Sequence, residues 1–176
     1  SYTVKSTGKA ELKLQIWNDR TIRFRYSIGA PGRDFSYAIA DEARPQDAKT
    51  GIREQKTAFI LTTAVLTVKI AKKDGRVTVV DKNTGQTLHD DAAGFYGRST
   101  LNRGLEQVRI QLKTDTQEAI YGLGDKAWDT NLQGAKFSNW NSDSFAYGKS
   151  HEALYRSIPF YYGLREGAAY GLFLDN

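Results

Sequence analysis

The sequence predicts an all-β protein, a large antiparallel β-sandwich with little or no helix, on three observations. Apolar residues recur at every second position in most patterned segments, no long window carries a helical 3.6 period, and turn-forming dipeptides separate the alternating runs. With no helices to cross between parallel strands, the sheets must be antiparallel, and about eleven strands are expected.

The elements follow in order. "AELKLQIW" sets Leu12, Leu14 and Ile16 on one face, and after "NDR" the run "TIRFRYSI" repeats the pattern with Ile22, Phe24, Tyr26 and Ile28, which reads as a hairpin. A Gly/Pro loop, "GAPGRD", and a polar stretch, "DEARPQDAKTG", lead to "AVLTVKIAKK", where Leu66, Val68 and Ile70 alternate. Asp74-Gly75 reverses the chain into "RVTVVD", because glycine supplies the positive φ of a tight hairpin, and "DKNTGQ" turns it again. "EQVRIQLKT" adds a strand through Val108, Ile110 and Leu112. "LYRSIPFYYGL" and "AAYGLFLDN" form a last pair around "REGA".

With 176 residues and 40% hydrophobic content, the chain can bury one full core, and residues 1–176 read as a single domain. Cysteine is absent, which excludes a disulfide framework, a thiol nucleophile and cysteine-ligated metal. The start "SYTVKSTGKA" lacks the apolar core of a signal peptide, and no apolar run is long enough to span a bilayer. A soluble chain is expected, secreted or periplasmic rather than cytoplasmic, with no membrane partner. The net charge of +5 is spread over alternate positions of apolar segments, as on the wet face of a sheet, so no nucleic-acid partner is expected.

Three motifs bear on chemistry. "YGLGDKA" matches a relaxed dinucleotide-binding pattern, but no helical stripe follows it, so Gly122 and Gly124 read instead as a sharp bend where a strand leaves its sheet. Asp125, Asp129 and Asp143 share the only unpatterned, aromatic-rich region, where two carboxylates can meet as an acid and a base; loop aspartates also serve as turn residues and caps. His89 in "QTLHDD" and His151 in "YGKSHEALY" fit neither a metal site nor a triad and read as surface or loop residues. No metal site and no cofactor are expected. Within the same region "FSNWNSDSFAYG" packs ring faces and hydrogen-bonding tips together, a composition suited to sugars.

From Glu118 onward, "EAIYGLGDKAWDTN" followed by "WNSDSFAYG…ALYRSIPFYYGLREGAAYGLFLDN" resembles the N-terminal region of glycoside hydrolase family 31, the α-glucosidase and α-xylosidase family. "VLTVKIAKKDGRVTVVDKNTGQTL" is similar to an earlier stretch of that region. The resemblance implies a galactose-mutarotase-like β-sandwich set ahead of a catalytic (β/α)8 barrel, whose two catalytic aspartates would lie beyond Asn176. The chain is therefore expected to be an accessory domain of a retaining α-glycosidase, inactive alone and holding no catalytic residue, with the barrel of the same polypeptide and an oligosaccharide or glycoside as partners. The ending at Asn176, directly after the apolar "YGLFL", fits a piece of a longer chain.

The matching loop motif falls on Asn141, Ser142 and Asp143. The resemblance implies that Asp143 hydrogen-bonds sugar hydroxyls just beyond the scissile bond and that Asn141 holds the loop. Trp140 either stacks on a sugar or anchors the loop. Asp125 stands where the family usually has glutamate and reads as structural. The competing readings are a stand-alone carbohydrate-binding module and a mutarotase-like epimerase, which would need a paired histidine and glutamate.

Overall fold

A computed structural model of the chain describes residues 1–5, 10–28, 33–40, 49–100 and 105–175. Thirteen strands and no helix occur among them, and every strand pairing is antiparallel. They fall into two compact units, Ser1–Lys113 and Thr114–Asn176. The Gly/Pro loop at 29–32 and the polar stretch at 41–48 lie outside the described residues.

In the first unit, β1 (Tyr2–Lys5), β2 (Ala10–Asn18) and β3 (Thr21–Ile28) form one sheet, and β4 (Gly51–Glu54), β5 (Ala58–Thr62), β6 (Leu66–Ala71), β7 (Val77–Asp81) and β8 (Thr87–Asp90) form a five-stranded meander. The alternation explains how they stack. Leu12, Leu14 and Ile16 share one face of β2 and pack against Leu61, Leu66, Val68, Ile70, Val77 and Val79 of the meander, so the two sheets close over a single core. The β2–β3 turn is tied to the β5–β6 turn: the Thr63 hydroxyl donates to the Asp19 carbonyl at 2.7 Å.

β9 (Tyr96–Thr100) and β10 (Leu105–Arg109) make a separate ribbon. The strand expected through Ile110 and Leu112 stops at Arg109, because residues 111–113 pair elsewhere. Ala92 N donates to the Gln111 carbonyl and Lys113 N to the Asp90 carbonyl, both at 2.8 Å, leaving Ile110 exposed. His89 is also not a loop residue. It lies half-buried on β8 with Nε2 2.9 Å from Oδ1 of the buried Asp91, whose other oxygen accepts the Val77 N–H at 2.7 Å. A buried carboxylate requires such donors, and His89 supplies one. Burial, and secondarily the Asp91 charge, pushes the Tyr26 phenol up.

In the second unit, β11 (Ala119–Gly124), β12 (Ser157–Arg165) and β13 (Ala168–Phe173) form one sheet with β12 central. The expected strand "LYRSIPFYYGL" begins only at Ser157, and Leu154 is buried within the preceding loop. Behind one face the buried Glu118 accepts from Arg165 Nε at 2.9 Å, beside Tyr161 and Tyr170. The other face is apolar and open: Ile158, Phe160, Tyr162 and Leu164 of β12 are all exposed.

Candidate functional site

The site is built on the loop from Asp125 to Arg156 that joins β11 to β12. Its neck follows from the sequence "YGLGD". Gly122, Leu123 and Gly124 have φ values of 120°, 64° and 81°, and the β11–β12 register shifts between the two glycines. A side chain at Gly124 would place its Cβ 2.4 Å from the Arg156 carbonyl, so only glycine lets the strands approach there. The bend sends Asp125 back across Arg156. Its backbone N–H donates to the Arg156 carbonyl at 3.0 Å, and the guanidinium donates twice to its carboxylate, at 2.8 and 3.0 Å. That double hydrogen bond holds the Asp125 carboxyl below the usual aspartate range and raises Arg156 further.

The three loop carboxylates have separate fates. Asp125 is taken by Arg156, and Asp129 lies 2.6 Å from Lys149 Nζ. The Asp143 carboxylate is exposed and has no hydrogen-bond or ion-pair partner among the described residues. Its backbone neighbours, by contrast, are tied. Asn141 Oδ1 accepts the Ser157 N–H at 2.9 Å, Ser142 N donates to the Leu154 carbonyl at 2.9 Å, and the Tyr155 hydroxyl donates to the Ser144 carbonyl at 3.1 Å. A fixed backbone thus carries a free carboxylate.

The aromatic residues divide. Trp140 is 74% exposed and Phe145 97%, so neither ring anchors the loop in a core, whereas Tyr147 and Tyr155 meet edge to face at 5.9 Å. Buried Leu132 and Leu154 hold the loop from inside. Desolvation lowers Lys126, whose ammonium donates to the Ser138 carbonyl at 3.1 Å. Glu152 accepts from both Lys136 and the Ser138 hydroxyl, which keeps its carboxyl below the usual range. His151 lies in a tight turn with Nδ1 3.0 Å from the Gly148 N–H. Among the described residues no three metal-ligating side chains converge.

Arg156 is the site residue that sequence reasoning missed. It lies 31 residues from Asp125 in the chain, and nothing local marks it as a partner. Chemically, the arrangement can hold a polyhydroxylated ligand: a free carboxylate accepts two hydroxyl hydrogen bonds, beside open ring faces.

The model of the glycosyl hydrolase 31 N-terminal galactose mutarotase-like domain matches residues 11–176. The chain belongs to this family. As a family 31 N-terminal domain it is 28% identical over 167 residues to alpha-glucosidase 2 of Bacillus thermoamyloliquefaciens, matching 94% of this chain and 20% of that protein. Among solved structures, the family 31 dextranase of Flavobacterium johnsoniae overlays with a TM-score of 0.77 at 23% identity, covering 89% of this chain and 20% of that one. The family 31 alpha-xylosidase of Xanthomonas citri gives 0.72 at 24% identity over 99% of this chain and 18% of that one. The all-β, galactose-mutarotase-like fold expected from the sequence is what these comparisons give. The chain spans about a fifth of the length of such relatives.

Proposed function

We propose that this domain is the accessory N-terminal part of a retaining α-glycosidase, that it buries the open face of its last sheet against the catalytic barrel of the same polypeptide, and that it lends the Asp143 loop to the substrate pocket. The observation that carries the reading is the pairing of opposites at Asp143: a carboxylate with no partner among the described residues, on a loop tied by the Asn141 side chain and by the backbone of Ser142 and Ser144. A charge left exposed on an ordered loop is suited to a ligand that arrives from outside. The apolar face of Ile158, Phe160, Tyr162 and Leu164 supports docking, since a contiguous exposed apolar surface marks a place for another surface to cover. Trp140 offers its ring to a sugar face from the same loop.

Among the described residues of the loop, Asp125 and Asp129 are each held by a cation, which leaves Asp143 without a second free carboxylate beside it, and we assign turnover to the barrel. The test is Asp143→Ala in the longer enzyme. The expected result is a loss of about 1–3 kcal/mol in kcat/KM on substrates with a sugar beyond the scissile bond, the worth of a charged hydrogen bond. Unchanged kinetics on every substrate would remove Asp143 from the pocket.

A stand-alone carbohydrate-binding module is the second reading, favoured by the exposure of Trp140 and Phe145 without any barrel. Sub-millimolar binding of an oligosaccharide to the 176-residue chain would establish it. The epimerase reading lacks its chemistry here, because Nε2 of His89 is engaged by Asp91 and His151 lies in a turn.

A further inference from the structure

We infer that Asp125 and Arg156 are positioning residues for the Asp143 loop, forming a clamp across its neck that sets where the free carboxylate sits. The inference rests on the proposed role of Asp143 and deepens it. The clamp's geometry is specific. Nε and Nη2 of Arg156 meet the two oxygens of Asp125 at 2.8 and 3.0 Å, a fork that lysine cannot reproduce. Its place in the chain is equally specific. Asp125 is the first residue after the left-handed turn at 122–124, and Arg156 is the last before β12, so the pair closes the loop where both ends leave the sheet.

The link to Asp143 runs through adjacent residues. Ser157, next to Arg156, donates its N–H to Asn141, two residues before Asp143. Leu154, two residues before Arg156, accepts from Ser142, and Tyr155 holds Ser144. Residues 154–157 are therefore a rail to which 141–144 are fastened. The clamp attaches that rail to the end of β11, and without it the rail keeps only the Asp125 N–H bond and the bulged strand pairing at that end. Loosening of the rail displaces Ser142, Asp143 and Ser144 together, whereas the sandwich core of the first unit contains none of these residues.

Two measurements test this. Backbone amide exchange of the 176-residue chain reads the positioning itself. Arg156→Met is expected to raise exchange at the Ser142 and Ser157 amides, the two that fasten loop to rail, by about fivefold while β6 and β7 keep wild-type protection, a size matching an exposed but bidentate ion pair. Asp125→Arg is expected to do the same, and joining it with Arg156→Asp to restore protection. Exchange unchanged by either single substitution would overturn the inference. So would a double variant no better protected than the singles.

In the longer enzyme, Arg156→Met is expected to raise KM about fivefold on substrates reaching past the scissile bond, with kcat on a small aryl glycoside unchanged; an equal loss on both classes would mean a general structural role and would overturn it. Failure of the underlying reading looks different. In that case Asp143→Ala is silent on all substrates while the exchange response to Arg156→Met persists.

Discussion

Substituting Gly124 by alanine tests whether the neck of the loop is built as described. At φ 81° an L-residue costs about 1–2 kcal/mol for its left-handed backbone alone. The added Cβ would stand 2.4 Å from the Arg156 carbonyl oxygen and 3.0 Å from the Ile158 nitrogen, where ordinary contact begins at 3.4 Å. The strand must therefore withdraw by roughly 1 Å, an overpacking that costs about 1–3 kcal/mol. That withdrawal also stretches the 3.0 Å bond from the Asp125 N–H to the same carbonyl, worth about 1 kcal/mol.

The expected destabilisation of the second unit is about 3–6 kcal/mol. Gly134→Ala is the control, because Gly134 has a φ of 77° in the same unit but nothing within 4 Å of the added atom, and it should cost about 1–2 kcal/mol. Urea unfolding in a Trp17→Phe background reads the difference, since the two remaining tryptophans, Trp128 and Trp140, both lie in the second unit. Equal costs for the two alanines would refute the close approach at Gly124.

Leu14→Ala, at a fully buried position between the two sheets of the first unit, should cost about 3–5 kcal/mol by chemical denaturation, against under about 0.5 kcal/mol for Ile110→Ala on the surface. Glu118→Gln should bring the Tyr170 phenol partway down toward its ordinary range in a spectrophotometric titration. Burial, the larger cause of its elevation, stays, while the carboxylate's share is removed. The Asp125–Arg156 clamp should be fully formed above the unfolded aspartate pKa of about 3.9, and should weaken as pH falls from there through the lower folded value. A carboxyl-carbon NMR titration of Asp125 reads that sign, and a midpoint above the unfolded value would contradict the pairing.

The alternating strands were legible because one face of each sheet is buried. Leu12, Leu14 and Ile16, or Leu66, Val68 and Ile70, announce both the strand and its inward side. β5 was not, since "AFILT" is apolar at four of its five positions and shows no period, and β4 is exposed along its whole length, so no face is marked. His89 was misread for a related reason. Its partner Asp91 is buried only because the chain turns there to pair with Leu112, a contact that no local pattern encodes.

At the candidate site, composition marked the aromatic-rich loop, the resemblance to family 31 picked out Asn141 and Asp143 within it, and glycine placement marked the bend at 122–124. The neck clamp was hidden because its two halves are joined only in three dimensions. The left-handed φ at Leu123, between two glycines, is likewise set by the strands around it and not by its own preference.

The open face of β12 has a consequence in time as well as in space. In a polypeptide with the proportions of the alpha-glucosidase it matches, where 167 residues make up 20%, this domain leaves the ribosome with roughly four-fifths of the chain still to be made. At about 5–20 residues per second that interval lasts on the order of half a minute to two minutes. Where that face docks on the barrel as proposed, Ile158, Phe160, Tyr162 and Leu164 would remain as exposed throughout it as they are in this domain. Selection on those four positions would then act twice, once for the fit with the finished enzyme and once for restraint during synthesis.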